Sequence, residues 1–315
     1  MALVNFNSAG VRLAVVIGIA SATLGAQGAQ APVATFTSGI DLVSVSAVVR
    51  DHKGRFVQNL SARDFEILDG GQLRTISDFR IDRAGVSVGL LFDVSGSMEG
   101  TLAVAREAGA HLLSWLEPQD EAAIFTFDSR LNQLLPFTTG LKALPDAMAT
   151  MTPFGATSLH DAIARTAERV GKREGRRRAV VVFTDGRDTS SRLKPTEVSA
   201  IASSIDVPVY VFAVVPSIDN PSTEYSTNEG KSSLAGPLKD LAAWTGGHAF
   251  VASTPAARSA AARQIVDELR HQYLLAFESS GTSGWHPLVV RARNKDLTVR
   301  ARSGYVAGQS RPNSD

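Results

Sequence analysis

The stretch Leu90-Leu91-Phe92-Asp93-Val94-Ser95-Gly96-Ser97-Met98 decides how this chain is read. An apolar run stops on a carboxylate. Two hydroxyls follow at alternate positions. A helical pattern is then expected over Met98 to Leu116, with Leu102, Ala105, Ala108, Leu112 and Leu116 on one face. Asp-x-Ser-x-Ser at a strand end offers one carboxylate and two hydroxyls to a single point. Hard oxygen donors of this kind suit Mg²⁺ or Mn²⁺, not zinc or copper.

Two more pieces follow. Gly155-Ala156-Thr157-Ser158-Leu159 opens another helix, and Val180-Val181-Val182-Phe183-Thr184-Asp185-Gly186 ends a second apolar strand on a carboxylate. With the three pieces in this order, the chain resembles the von Willebrand factor type A family and its metal-ion-dependent adhesion site. The resemblance implies roles for five residues. Ser95 and Ser97 bind the metal directly, and Thr157 joins or leaves its shell. Asp93 and Asp185 act directly or through water. It also implies a protein partner that presents an Asp or Glu to the metal. Each piece alone has a plainer reading. Ser95 or Ser97 can cap a helix, as can Thr157 or Ser158, and Asp185-Gly186 can be an ordinary turn.

Working outward, apolar strands alternate with helical patterns from residue 85 to 253. This is the signature of a parallel sheet covered on both faces. The expected fold is α/β, a doubly wound, mostly parallel, Rossmann-like sheet. Its further strands are expected over Ala122–Phe127, Leu131–Phe137, Ala179–Thr184, Val207–Val215 and, at an edge, Ala249–Ala252. Helices are expected over Leu141–Met151, Ser158–Val170, Thr196–Ser204 and Leu238–Trp244. Residues 217 to 235 are polar and rich in Ser, Asn, Pro and Gly. They form either a functional or mobile loop or a tolerated surface insertion.

The flanks read differently. Residues 33 to 84 are a short-strand region with turn signals at Asp51-His52-Lys53-Gly54 and Asp69-Gly70-Gly71. Residues 254 to 305 begin with a helix over 256–271, continue in a Tyr273–Phe277 strand and close with a hairpin of Trp285–Arg293 and Leu297–Arg302. Neither set has strands enough for an independent core. The expectation is one small β-sandwich-like module with the α/β unit inserted in it. Residues 306–315 are expected to be a disordered tail. The order of these regions, with Tyr-Leu-Leu-Ala-Phe and Arg302-Ser303-Gly304-Tyr305 near the end, resembles a group of exported bacterial type A proteins abundant in Acidobacteria.

The chain has 315 residues, 44% of them apolar and 20% charged, with formal net charge +1. That charge leaves no basic excess to release counterions from nucleic acid. There is no cysteine, so disulfides and thiol chemistry are excluded. Arg12 followed by the apolar run Leu13–Ala22 reads as a signal peptide over residues 1–29, and an uncleaved anchor is the alternative. The mature chain is then periplasmic or secreted, with no membrane span after cleavage.

Secondary candidates are weaker. Asp161 and Asp188 are possible supports for the metal ligands, Asp161 by bonding Thr157 or Ser97. A helix-dipole contact and an exposed loop acid are their respective alternatives. Asp128 ends a neighbouring strand. His160 reads as a surface histidine, Arg176-Arg177-Arg178 as a solvated run or a contact for an anionic lipid or polymer. Trp115 and Trp244 read as core, Trp285 as core or interface. The histidines show no zinc-ligand spacing, and neither a Gly-x-Ser-x-Gly elbow nor a phosphate-binding Gly-Lys loop occurs. The leading expectation is a metal-dependent adhesion module, not an enzyme. The alternative is a structural component of an envelope assembly on a metal-stabilised scaffold.

Overall fold

The structure, a computed structural model, describes residues 42–81, 84–214, 236–251 and 254–307. The signal-peptide segment, the polar 217–235 loop and residues 308–315 of the expected tail lie outside the described residues, whereas Val306 and Ala307, expected to begin that tail, pair as a strand instead. Among the described residues no helix is long and apolar enough to cross a membrane.

In chain order the elements are β1 (Leu42–Arg50), β2 (Phe65–Asp69), β3 (Gln72–Arg74), β4 (Ile76–Ile81), β5 (Val86–Asp93), α1 (Leu102–Trp115), β6 (Glu121–Phe127) and β7 (Leu131–Thr139). There follow α2 (Asp146–Ala149), α3 (Leu159–Gly171), β8 (Arg177–Thr184), α4 (Pro195–Ser204), β9 (Val209–Ala213), α5 (Gly236–Trp244) and β10 (Ala249–Val251). The chain closes with α6 (Pro255–Arg270), β11 (Gln272–Glu278), β12 (Gly284–Ala292), β13 (Thr298–Arg300) and β14 (Gly304–Ala307).

The central sheet has six strands in the order β10-β9-β8-β5-β6-β7. All neighbours are parallel except β6 and β7, which the short turn at Asp128-Ser129 makes antiparallel. β5 is buried at every position because helices cover both faces. Leu90, Phe92 and Phe183 face α1 and α6; Leu91, Val180 and Val182 face α3, α4 and α5. Phe92 and Phe183 stack at 4.6 Å across β5 and β8. Each such fully buried side chain contributes roughly 1.5–3 kcal/mol. The strand order reverses at β5. The chain goes from β5 to β6 on one side and returns to β8 on the other, so β5 and β8 border the crevice where sheets of this type hold ligands.

Three local expectations need correction. The first helix starts at Leu102, not Met98. Gly96–Met98 is a 3-10 turn, and Gly100 at φ +83° breaks the chain direction before α1. Leu141–Met151 is not one helix. Pro145 lacks an N–H and biases Leu144 toward extended backbone, so only Asp146–Ala149 is helical. The expected final hairpin does not form either. β12 pairs with β2 and β14, whereas β13 crosses to the other sheet and pairs with β1 through Val299↔Val49.

The flanking strands build two four-stranded sheets, β13-β1-β11-β4 and β14-β12-β2-β3. Each mixes strands from before and after the α/β unit. Their shared core is Val45, Ala47, Val49, Phe65, Ile67, Tyr273, Leu275, Phe277, Leu288, Val290 and Tyr305. The helix that precedes β11 belongs to the other core. Ala261, Ala262, Ile265, Val266 and Leu269 of α6 pack with α1 on the central sheet, so the α/β unit runs past residue 253 to Arg270.

Polar side chains join the sandwich to the α/β unit. Glu268 at the end of α6 is fully buried and meets Arg50 of β1 at 2.9 Å and Arg300 of β13. Arg302 is buried and bonds the carbonyls of Ser44 in β1 and Ser203 in α4. Its guanidinium also lies 3.5 Å from Asp206, whose other carboxylate oxygen accepts the Ser46 hydroxyl at 2.8 Å. Arg176-Arg177-Arg178 is not a solvated run. These side chains bond the carbonyls of Gln119, Ala84 and Gly171. Trp115 and Trp244 are only partly covered, at 37% and 36% exposure, so neither is core.

Burial alone would raise the Glu268 carboxyl, but the Arg300 charge, with Gln264 and Arg50, holds it below the ordinary carboxylate range. A depressed folded value means stability that is present above the unfolded value of 4.5 and lost as pH falls through the folded one. Glu268→Gln is expected to cost about 3 kcal/mol near neutral pH, because two arginines lose a buried partner. Urea unfolding from pH 7 down to 3 checks this. The difference between wild type and variant should shrink at the acid end.

Candidate functional site

Asp93 is the last residue of a strand buried on both faces, and its carboxylate is fully buried. One oxygen accepts the Ser95 hydroxyl at 2.6 Å and the Ser95 amide at 3.0 Å. The other accepts the Thr184 hydroxyl at 2.7 Å. The Ser95 and Ser97 hydroxyls lie 3.1 Å apart. Ser95 opens the 3-10 turn without capping it through its side chain. The capping alternative therefore fails for Ser95, whose hydroxyl turns to Asp93 and Ser97 instead.

Two backbone bonds attach the second piece to this turn. The Phe154 amide donates to the Val94 carbonyl at 2.9 Å, and the Gly96 amide donates to the Gly155 carbonyl at 3.0 Å. Gly155 has φ +88°, which a residue with a β-carbon rarely adopts, and from this bend the chain enters Thr157. Thr157 is buried.

The third piece is stitched to the second. The Thr157 carbonyl accepts the Thr189 and Ser190 amides, and the Thr157 amide donates to the Thr189 hydroxyl at 2.9 Å. The first free amides of α3 are satisfied from the same loop: Leu159 by Asp188, His160 and Asp161 by the Ser191 hydroxyl. Ser158, the residue at the cap position, makes no side-chain cap; its hydroxyl meets Ser190 at 2.8 Å. A helix normally capped by its own preceding residue is here capped by a distant loop. That loop begins at Asp185, whose carboxylate accepts the Arg187 amide at 3.1 Å. The turn reading of Asp185-Gly186 thus describes its backbone, and Thr184 beside it ties the same loop to Asp93.

The three sequence pieces converge at the carboxyl ends of β5 and β8. The supports do not sit where expected. Asp161 bonds neither Thr157 nor Ser97; it accepts the Arg192 and Leu193 amides. Asp188 is mostly buried and meets His160 Nδ1 at 2.5 Å, so neither is a free surface group. Thr184, Thr189 and Ser191 escaped the sequence reading. Thr184 read only as the end of an apolar strand, and Thr189 and Ser191 only as part of a hydroxyl-rich run after Asp185, which reads as an ordinary loop.

Burial pushes the Asp93 carboxyl up to about 6; hydrogen bonds from Ser95 and Thr184 oppose this, and the Asp185 charge adds to it. Two carboxylates that repel in a dry place, beside two close hydroxyls, fit a hard divalent cation. Among the described residues no three His, Cys, Asp or Glu side chains cluster as a cage. A site here would depend on hydroxyl donors.

Ser191→Ala removes the shared cap of His160 and Asp161. The expected cost is about 1 kcal/mol. Amide exchange should quicken at His160 and Asp161 while β5 amides stay protected, and equal protection at all of them would contradict the trans-capping described above.

Residues 88–187 match the family model described as von Willebrand factor type A domain. No curated protein matches this chain. Similar solved structures include an aerotolerance-related membrane protein from Bacteroides fragilis bearing multiple mutations to serines. It is 20% identical, with 59% of this chain and 98% of that one covered and a TM-score of 0.45. A von Willebrand factor type A structure from Catenulispora acidiphila is 13% identical, with 86% and 76% covered and a TM-score of 0.46. Proximal thread matrix protein 1 from the mussel byssus, with a zinc-occupied MIDAS motif, is 17% identical, with 64% and 49% covered and a TM-score of 0.44.

Proposed function

We propose, on the premise that residues 88–187 belong to a von Willebrand factor type A domain, that this chain is an exported, metal-dependent protein-binding module. Ser95, Ser97 and Thr157 would hold Mg²⁺ or Mn²⁺ through hydroxyls, and Asp93 and Asp185 through carboxylates, directly or by way of water. When bound, the ion would offer an open coordination position to an Asp or Glu of a protein partner.

The observation that carries this reading is the use made of the Ser95 hydroxyl. A hydroxyl has one proton and two lone pairs. Ser95 gives its proton to Asp93 and lies beside the Ser97 hydroxyl. Its oxygen, buried with the rest of Ser95, thereby keeps acceptor capacity, the state a metal ligand requires. Thr184 meanwhile engages the second Asp93 oxygen, which restrains that carboxylate from rotating. Asp188 and Ser191 keep the Thr157 and Asp185 segments together. Little reorganisation is then needed on binding, which favours affinity.

Export rests on the Leu13–Ala22 run after Arg12, and the exported bacterial grouping on the order of regions. A second reading is a scaffold in an envelope assembly. It is favoured by the direct hydrogen bonds that tie the loops together, onto which a metal would add stability without capturing a partner.

Calorimetric titration of Mg²⁺ and Mn²⁺ into the mature chain tests the metal directly. Saturable binding is expected in the wild type and its loss in Asp93→Ala, with weaker binding in Thr157→Ala. Binding that survives Asp93→Ala would sink the proposed site. Metal binding without metal-dependent capture of any acidic partner would favour the scaffold.

A further inference from the structure

One aromatic ring at the candidate site is not explained by packing. Phe154 is 81% exposed, more than any other large apolar side chain among the described residues. Phe92, Phe125, Phe127, Phe183 and Phe212 of the central sheet are buried. A scattered exposed apolar residue is ordinary. Two features of its setting distinguish Phe154.

First, its backbone is pinned. Its amide is bonded to the carbonyl of Val94, which stands between Asp93 and Ser95, and the carbonyl of Gly155 is bonded to Gly96. The ring therefore projects from a platform joined to the turn that carries the candidate ligands. A rigid aromatic anchor buries area at low entropic cost. Second, the outer rim presents cations, while most of its acids are turned in toward the site. Arg130, Arg187 and Arg192 are exposed on the adjoining loops, with Arg187 paired to Asp185 at 3.7 Å, and Glu99 is an exposed acid on the turn after Ser97. Asp93 is buried, and Asp128, Asp185 and Asp188 are partly covered.

We propose that Phe154 and the metal site form a two-point docking surface for an extended segment of a protein partner. A carboxylate side chain meets the metal. A large apolar side chain, within about two residues of it along the segment, packs on the Phe154 ring. This deepens the metal-dependent reading and rests on it.

The test uses the mature full-length chain and labelled peptides that differ only in carrying Phe, Leu or Ser two residues from a single Glu. Anisotropy is read in Mg²⁺ and in chelator, beside calorimetry of Mg²⁺ alone. The Phe and Leu peptides are expected to bind about tenfold more tightly than the Ser peptide, the effect of one modest hot spot. Phe154→Ser should erase that preference and leave Mg²⁺ binding unchanged. Equal affinities, a preference that survives Phe154→Ser, or no capture of any peptide by a chain that binds Mg²⁺ would overturn the inference and leave the metal site standing. Failure of the wild type to bind Mg²⁺ would overturn both. Chelator-insensitive binding to phosphatidylserine vesicles, lost in Phe154→Ser, would reassign the ring to a lipid surface.

Discussion

The central constraint in this protein is a carboxylate at the end of a strand with no exposed face. β5 lies between β6 and β8 and under helices on both sides, so its last side chain, Asp93, is removed from water. An unpaired carboxylate there would be costly. Ser95, Thr184 and the turn amide take up its oxygens, and in doing so they fix the path of the chain leaving β5 and the end of β8. The position of the candidate site follows from that requirement. Its opening lies where the strand order reverses, because there the loops from β5 and β8 part to opposite faces.

The other loops are arranged around the same point by satisfying backbone groups. Helix α3 begins without a cap of its own, and its free amides are met by Asp188 and Ser191 from the loop after β8. The Thr157 and Asp185 segments are therefore one hydrogen-bonded unit, although 28 positions of sequence separate their key residues. Away from the site, buried charges serve a different end. Glu268 and Arg302 bridge the sandwich and the α/β unit, and each meets partners from segments distant in sequence. Buried ionic contacts of this kind define an arrangement more than they add stability. Arg302-Ser303-Gly304-Tyr305 gains a structural meaning here. Arg302 enters the junction, Ser303 donates its amide to the Trp244 carbonyl, and Tyr305 fills the sandwich core.

Much of the fold was legible because it depends on local pattern. Runs such as Val86–Phe92 and Ala179–Thr184 are continuous and apolar, as strands covered on both faces must be, and the helices between them repeat at helical spacing. Asp93, Ser95, Ser97, Thr157 and Asp185 stood out as candidates because they lie at or just beyond the ends of such elements. The errors arose where partners are remote. Leu297–Arg302 looks like the second arm of a hairpin, but the edge of β1 is free to receive it and Glu268 waits there for Arg300. Trp115 and Trp244 fall on apolar helical spacing and still reach the surface, since which face is covered depends on what packs there.

The amino-acid sequence by itself determined the order of strands and helices, the placing of carboxylates and hydroxyls at their ends, and the division into an inner α/β unit and outer strands. Periodicity and turn chemistry act over a few residues, and those distances are contained in the sequence. Only the tertiary structure decided that Asp188 and Ser191 cap α3, that Thr184 restrains Asp93, that β13 joins β1, and that Phe154 stands exposed beside the candidate ligands. These are contacts between segments far apart in the chain. A residue's partner across such a distance is selected by the whole packed arrangement, because each buried polar group must be satisfied by whatever the fold brings beside it.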